Sequence, residues 1–285
     1  MSPVFTCILC NTNFPSEFLY RKNGIPIYRC PECGAGRADC DQFDAAAYYD
    51  SSYFNGERSD GYSNYVQAAN VLHAQFRKDV ELLKKLGTPG KALVELGCAY
   101  GYFLDEAKDA SYQVSGVELC EDAVKSCNAR GHDVVHGAIC KEKMSRFSEA
   151  DAVVMLDVIE HLPDPVAALE AVSDILTPNG LLLLTTGDFS SSVAKITRSN
   201  WRLMTPPQHL WFFTPRSLTS LCDRLDMDLV HLDHPWKKVP VGLIAYQALR
   251  YITAPPALPT WTHHVGIPVN LFDAMRLVFR KRNAV

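Results

Sequence analysis

A doubly wound α/β sheet with helices on both faces, preceded by a small cysteine-held ribbon, is the fold the sequence predicts. Three observations predict it. From Lys91 onward, short apolar runs alternate with helical stretches, the pattern of a sheet whose strands are joined by helices. One of those runs, LLLLTT at 181–186, is apolar at alternating and intervening positions alike, as a strand covered on both faces must be. Cys7, Cys10, Cys30 and Cys33 form two C-x2-C pairs separated by nineteen residues.

Between those pairs, FLYRKNGIPIYR holds two β-type runs around Asn23-Gly24, a two-residue hairpin signal. Pro31 and Gly34 frame the second pair as CPECG, a tight turn that would let backbone N–H groups support thiolates. Two such turns side by side can present four sulfurs tetrahedrally to a zinc ion at about 2.3 Å. With all four positions filled, the expected Zn2+ site is structural. Cys40 is a spare thiol or a replacement ligand. Cys98, Cys120, Cys127, Cys140 and Cys222 lack partner spacing and read as small buried residues.

The 285 residues are 47% hydrophobic and 21% charged, which excludes a wholly disordered chain. Net charge is −4 without a basic cluster, which counts against a general nucleic-acid binder. No apolar run reaches the roughly 18 residues of a membrane span. The first residues lack the basic head and apolar stretch of a secretory signal, so a cytoplasmic protein is expected. An oligomer is left open.

The expected organisation is a ribbon at 1–40, a Tyr-rich connector and helix at 41–90, and the sheet domain at 91–285 with an insertion at 236–268. The helix covers 66–86, with Leu72, Phe76, Val80 and Leu83 on one stripe, and ends at Thr88-Pro89-Gly90. Strands are expected at 92–96, 112–118, 133–137, 150–156, 181–186 and 227–233, and a final one at 273–281. Helices are expected at 101–110, 122–130, 165–176 and 214–225. Pro178-Asn179-Gly180 separates a helix from the apolar strand. The insertion is apolar but broken by five prolines.

The first strand runs into Glu95-Leu96-Gly97-Cys98-Ala99-Tyr100-Gly101. Glycines at 97 and 101 let the backbone turn sharply and approach a ligand closely. The dinucleotide fingerprint G-x-G-x-x-G fails, because Ala99 and Tyr102 stand at its second and third glycines. Glu95 in the turn would repel phosphates and attract an ammonium or sulfonium. The plainer reading is a tight strand–helix turn. Glu118 ends the second strand, where an acid can accept the hydroxyl protons of a ribose; its plainer reading is a solvated acid at a helix start. After the third strand come Ala138 and Ile139, which could sandwich an adenine and bond it through backbone. The fourth strand runs into L-D-V-I-E-H-L-P-D-P, 156–165.

Together E-L-G-C-A-Y-G, the acid after the second strand and D-V-I-E-H-L-P-D-P resemble class I S-adenosylmethionine-dependent methyltransferases, over about residues 91–235. P-Q-H-L-W-F-F-T-P-R-S-L at 207–218 is similar to a segment of the same group. The ribbon, the Tyr-rich connector and I-P-V-N-L-F-D resemble a zinc-ribbon subgroup that includes deoxysugar C-methyltransferases and enzymes of polysaccharide and natural-product pathways. The resemblance implies a doubly wound, Rossmann-like seven-stranded methyltransferase sheet with a small N-terminal zinc-ribbon domain, and S-adenosyl-L-methionine as cofactor. It implies Glu95, Gly97, Cys98, Ala99 and Gly101 beside the methionine part, Glu118 and Leu119 at the ribose, and Ala138 and Ile139 at the adenine. Asp157 and Val158 would line the cofactor edge, and His161 is a substrate contact or a structural histidine. The departures are Ala99 for the usual glycine and the absent adenine-site acid.

A hydroxyl or carbon nucleophile must also lose a proton, for which histidine is suited. His209 follows the fifth strand, on the acceptor side, and is the expected general base; its plainer role is packing against Trp211 or capping a helix. Tyr53, Tyr62 and Tyr65 are candidate lid residues or connector packing. The expected activity is methyl transfer to oxygen or carbon of a small-molecule or glycan-linked acceptor. Two other readings are RNA methylation with the ribbon on nucleic acid, which the acidic balance disfavours, and a non-catalytic scaffold of the same fold.

Overall fold

The computed structural model describes residues 6–13, 15–40, 48, 54, 65, 66, 68–242, 245, 259 and 261–283. Strands β1 (Glu17–Lys22) and β2 (Ile25–Arg29) form the expected hairpin, and β3 (Gly36–Ala38) adds to it. Asn23 and Gly24 both take positive φ, 51° and 80°, the conformation that suits the twist of a two-residue hairpin. Helix α1 (Ala69–Leu86) follows, three residues shorter at its start than expected.

The sheet domain then runs β4 (Ala92–Leu96), α2 (Tyr102–Asp109), β5 (Gln113–Glu118), α3 (Glu121–Ala129), β6 (Asp133–His136), α4 (Lys141–Met144), β7 (Ala150–Leu156) and α5 (Pro165–Ile175). It continues with β8 (Leu176–Gly187), α6 (Ser192–Thr197), β9 (Trp211–Phe212), α7 (Pro215–Arg224) and β10 (Met227–Asp233). The last elements are β11 (Lys237–Pro240), α8 (Trp261–His264), β12 (Gly266–Val269) and β13 (Ala274–Lys281).

Seven strands build one sheet in the order β10-β13-β8-β7-β4-β5-β6. β4, β5, β6, β7 and β8 are parallel, and β13 inserts antiparallel between β8 and β10. The order reverses between β4 and β7, so a crevice opens past the carboxyl ends of these two strands. Both faces are covered. Leu182 and Leu184 of β8 join one core with Leu169 and Val172 of α5 and Leu218 and Leu221 of α7. Leu181 and Leu183 join the opposite core with Phe76 and Leu83 of α1, Phe103 of α2 and Val124 of α3. The apolar run at 181–186 is therefore divided between two cores by the strand's two-residue period.

Three expectations change. β8 begins at Leu176, not 181: the chain passes Pro178-Asn179-Gly180 as an irregularity in the β7–β8 register, between Ala150 and Ala152. The insertion carries its own two-stranded pair, β11–β12, which its prolines concealed; among the described residues, the pair holding Pro240 and Pro268 bonds to no further strand. Cys140 is exposed, whereas Cys98, Cys120, Cys127 and Cys222 are buried as expected. Tyr53 and Tyr62 lie outside the described residues. No helix among the described residues is long and apolar enough to cross a membrane.

The ribbon is stitched to the sheet domain. β3 pairs with β9 through Gly36↔Phe212 and Arg37↔Trp211, so the three ribbon strands and β9 form one four-stranded sheet. A Cβ on Gly36 would meet Phe189 at 2.9 Å and Phe212 at 3.1 Å, so only glycine lets the two segments approach this closely. Asn23 Nδ2 donates to Pro206 O at 2.7 Å, and Thr214 Oγ1 donates to Cys33 O at 2.7 Å. Thr214 is also the N-cap of α7, accepting from Ser217 N at 3.1 Å. Leu9, Cys30, Cys33 and Ala35 share a core with Leu210, Trp211 and Phe213.

Thr214→Val keeps the shape but removes both the cap and the donor to Cys33 O. Chemical denaturation should show a loss of about 2 kcal/mol, and hydrogen exchange should rise in both α7 and the ribbon. A change confined to α7 would mean that the tie to Cys33 carries no stability.

Candidate functional site

The turn after β4 is fixed by sterics. Gly97 has φ +74°, and a Cβ there would lie 2.7 Å from Val158 Cγ2. Gly97 and Val158, expected beside the methionine part and at the edge of one cofactor, are thus in contact across the β4–β7 crevice. Gly101 has φ +71°, and a Cβ there would meet Cys127 Sγ at 2.8 Å. Between them Ala99 takes φ +45°, a left-handed conformation that costs a residue with a Cβ about 1 kcal/mol. The chain keeps the backbone of a glycine turn with alanine at its centre. Gly97 N donates to Val117 O at 2.8 Å, which ties this turn to the end of β5.

Glu118, at the end of β5, is buried, and three backbone N–H groups converge on it. Ala99 N reaches Oε2 at 2.7 Å, and Leu119 N and Cys120 N reach Oε1, each at 2.8 Å. Burial pushes its pKa up, against these three hydrogen bonds. A carboxylate has about four lone-pair positions, so Oε1 is filled and Oε2 keeps one position for a hydroxyl donor. That narrows the expectation of two ribose hydroxyls. Glu95 is buried, its Oε2 has no hydrogen-bond partner, and burial pushes its pKa well up. A buried carboxyl with an unmatched oxygen fits a ligand that brings an ammonium or a hydrogen-bond donor. Gly137 N donates to Glu118 O at 2.9 Å, bringing the end of β6 alongside. Ile139 is half-buried in the core that also takes Val158, while Ala138 is exposed.

Asp157, at the tip of β7, also has positive φ, 55°. Its N–H donates to Thr185 O at 3.0 Å, its Oδ1 accepts from Thr185 Oγ1 at 2.9 Å, and Lys237 Nζ donates to Oδ2 at 2.8 Å. Lys237 was not foreseen, because it lies eighty residues on, in a strand hidden among prolines. It lines a cleft of about 210 Å³ together with Asp79, Thr185, Asp233, His234 and Arg276. Arg276 bridges Asp79 and Asp233, each at 2.6 Å. His234 Nε2 donates to Asp188 Oδ2 at 3.0 Å. Trp236, on the rim, is 57% exposed.

On the ribbon-held loop, His209 donates from Nδ1 to Leu203 O at 2.7 Å, which leaves Nε2 as its acceptor atom. His161 donates from Nδ1 to Gln208 O at 2.8 Å, and the two rings meet edge to face with centroids 4.6 Å apart. Burial and the His161 ring push His209 down to about 3. The imidazole is therefore neutral across the physiological range, and the general-base expectation meets an environment that resists its protonation. Glu160, beside them, is pushed up to about 8 by burial and the nearby Asp157. Of the candidate lid residues, Tyr65 is buried and stacks on Tyr102 at 5.4 Å.

In the ribbon, Cys7 and Cys33 have their sulfurs 3.7 Å apart, as do Cys10 and Cys30, and all four lie within 4.8 Å of one another. Tetrahedral zinc with bonds of about 2.3 Å spaces its sulfurs by roughly 3.8 Å, so this donor set has the arrangement of a zinc ribbon.

Ala99→Gly should relieve the left-handed strain. Glycine's larger unfolded-state entropy offsets part of the gain, leaving a stabilisation of up to about 1 kcal/mol measurable by denaturation. A loss of stability would show that the alanine methyl packs usefully.

The family described as methyltransferase domain matches residues 69–232. The ubiquinone biosynthesis O-methyltransferase of Methylococcus capsulatus is 27% identical over 133 residues, which cover 45% of this chain and 54% of that protein. That of Albidiferax ferrireducens is 23% identical over 158 residues, covering 50% and 62%. The chain thus spans little more than half the length of these curated relatives. The magnesium protoporphyrin IX methyltransferase of Synechocystis PCC 6803, solved with bound SAH, superposes with a TM-score of 0.53 at 14% identity, covering 83% of this chain and 97% of that one. A SAM-dependent methyltransferase from Archaeoglobus fulgidus gives 0.50 at 16% identity, covering 73% and 94%. A match over more than half the sequence, on a sheet whose first turn and second-strand acid are built as described, means that the chain belongs to the methyltransferase-domain family, with the class I S-adenosylmethionine-dependent fold.

Proposed function

We propose that this chain transfers a methyl group from S-adenosyl-L-methionine to an oxygen or carbon of a small-molecule acceptor. One observation carries the reading: the contact of Gly97 with Val158 and the bond from Ala99 N to Glu118 gather the tips of β4, β5 and β7 around one locus. Glu95, Gly97, Cys98, Ala99 and Gly101 would hold the methionine part, Glu118 and Leu119 the ribose, Ala138 and Ile139 the adenine, and Asp157 and Val158 the edge between. The cofactor supplies a methyl group already activated by its sulfonium charge. What remains for the chain is to exclude water, align the nucleophile and accommodate its proton.

The cleft beside Asp157 supports a hydroxylated acceptor. Carboxylates, a guanidinium and an imidazole line it, and Trp236 offers an indole face at the rim. That favours a sugar, glycan-linked or natural-product acceptor, while the O-methyltransferase names of the curated relatives favour oxygen as the atom methylated. A net charge of −4 speaks against RNA. His209, on the loop pinned by the ribbon, is our candidate for the catalytic group facing the acceptor. Cys7, Cys10, Cys30 and Cys33 would hold a structural Zn2+ that fixes the ribbon, and through β3 the loop carrying His209.

Incubation with labelled cofactor and a panel of nucleotide sugars and phenols tests the activity, with transfer to one acceptor class expected. His209→Gln should lower kcat by at least about 100-fold while leaving SAH affinity unchanged; full turnover would remove His209 from the catalytic residues. Chelating the zinc should abolish activity and loosen the ribbon while SAH still binds. Equal loss of both would contradict this division of labour.

A further inference from the structure

We infer that Glu160, His161 and His209 form a second metal site, for a divalent first-row transition cation, apart from the cysteines of the ribbon. One ligand atom from each residue lies within 4.8 Å of the others. A cation with bonds of about 2.1 Å holds adjacent ligand atoms roughly 3 to 3.5 Å apart, so side-chain shifts of about an ångström or less close the set. Two nitrogens and one carboxylate oxygen suit zinc, manganese, cobalt or iron(II) better than magnesium or calcium, which prefer all-oxygen shells.

Three features point to a cation. Both rings are fixed by backbone carbonyls, His161 Nδ1 donating to Gln208 O and His209 Nδ1 to Leu203 O, and the bond to Leu203 leaves His209 Nε2 as the lone-pair atom. The Glu160 carboxylate is 4% exposed, and its Oε2 has no hydrogen-bond partner. Burying such an oxygen unmatched is costly. The surrounding charges are already matched: Asp157 with Lys237, and Asp273 with Arg202 and the Trp201 indole. Among the described residues, Glu160 alone of these carboxylates has no cationic partner. Thr205 Oγ1, four residues before His209, is likewise buried without a partner, so the local polarity exceeds what the chain itself satisfies.

The site adjoins the tip of β7, since Glu160 and His161 lie three and four residues after Asp157, and Leu210 N donates to Glu160 O at 2.9 Å. A cation with three protein ligands keeps open positions for an acceptor, and it binds best an acceptor whose nucleophile is an oxygen with a free lone pair. This consequence for the acceptor rests on the methyl-transfer reading; the cation site does not.

The test is titration of the full chain, its ribbon loaded with one zinc per chain, with Mn2+ followed by the paramagnetic resonance of free Mn2+. Co2+ absorption serves as a second probe, and SAH binding is measured separately by calorimetry. One cation per chain beyond the ribbon zinc is expected. Its affinity should fall at least tenfold in Glu160→Gln and in His161→Gln, with zinc content and thermal midpoint unchanged. Failure to bind Mn2+ or Co2+, or equal binding by the variants, overturns the site. Should one variant unfold, the other decides. A chain that binds SAH but no second cation refutes this inference alone, and one that binds the cation but not SAH refutes the methyltransferase reading alone.

Discussion

The contact between Gly97 and Val158 is the constraint on which the rest of the site depends. Two parallel strands, β4 and β7, adjoin where the strand order reverses, and their loops leave on opposite sides. The crevice between them stays narrow only if one loop carries no side chain. A methyl group at 97 would stand 2.7 Å from Val158 Cγ2 in a backbone conformation that already disfavours it. With that turn closed, Ala99 N falls on Glu118, Glu118 collects Leu119 N and Cys120 N, and the tips of three strands share one hydrogen-bonded locus.

The other side of the site is imposed from outside the sheet. The loop from Leu203 to Thr214 runs between β8 and α7 and has little regular structure of its own. Its conformation is set by the ribbon: β9 pairs with β3, Pro206 O accepts from Asn23, and Thr214 reaches Cys33 O. Sequence separation makes these contacts costly to form by chance, because a loop of well over a hundred residues must close first. A cross-linking ion in the ribbon would therefore stiffen an acceptor-side loop far away in sequence.

Much of this was legible in the residues, because local physics decided it. Asn23-Gly24 demanded a hairpin, and alternating apolar runs demanded strands. Gly97 and Gly101 announced backbone that side chains would obstruct, and Glu118 announced an acid at a strand tip. What escaped was decided by distant partners. Lys237 reads as an ordinary solvated lysine until Asp157 is placed beside it. The β11–β12 pair hides among prolines that exclude a central strand but not an isolated pair. Glu160 and His161 were read as neighbours in a motif, yet the relation that matters is with His209, brought in by the ribbon-held loop. His209 was chosen for the ordinary titration range of histidine; burial and the neighbouring imidazole, neither legible in the residues, push that range down.

The central claim is that the crevice past β4, β5 and β7 receives a sulfonium-bearing methyl donor. A crystal structure of the chain grown with S-adenosylhomocysteine tests it most directly. The account requires the ligand beside Gly97, with a ribose hydroxyl on the free position of Glu118 Oε2. Density for the ligand elsewhere, or a crevice that accepts a phosphate-bearing dinucleotide in its place, would contradict it.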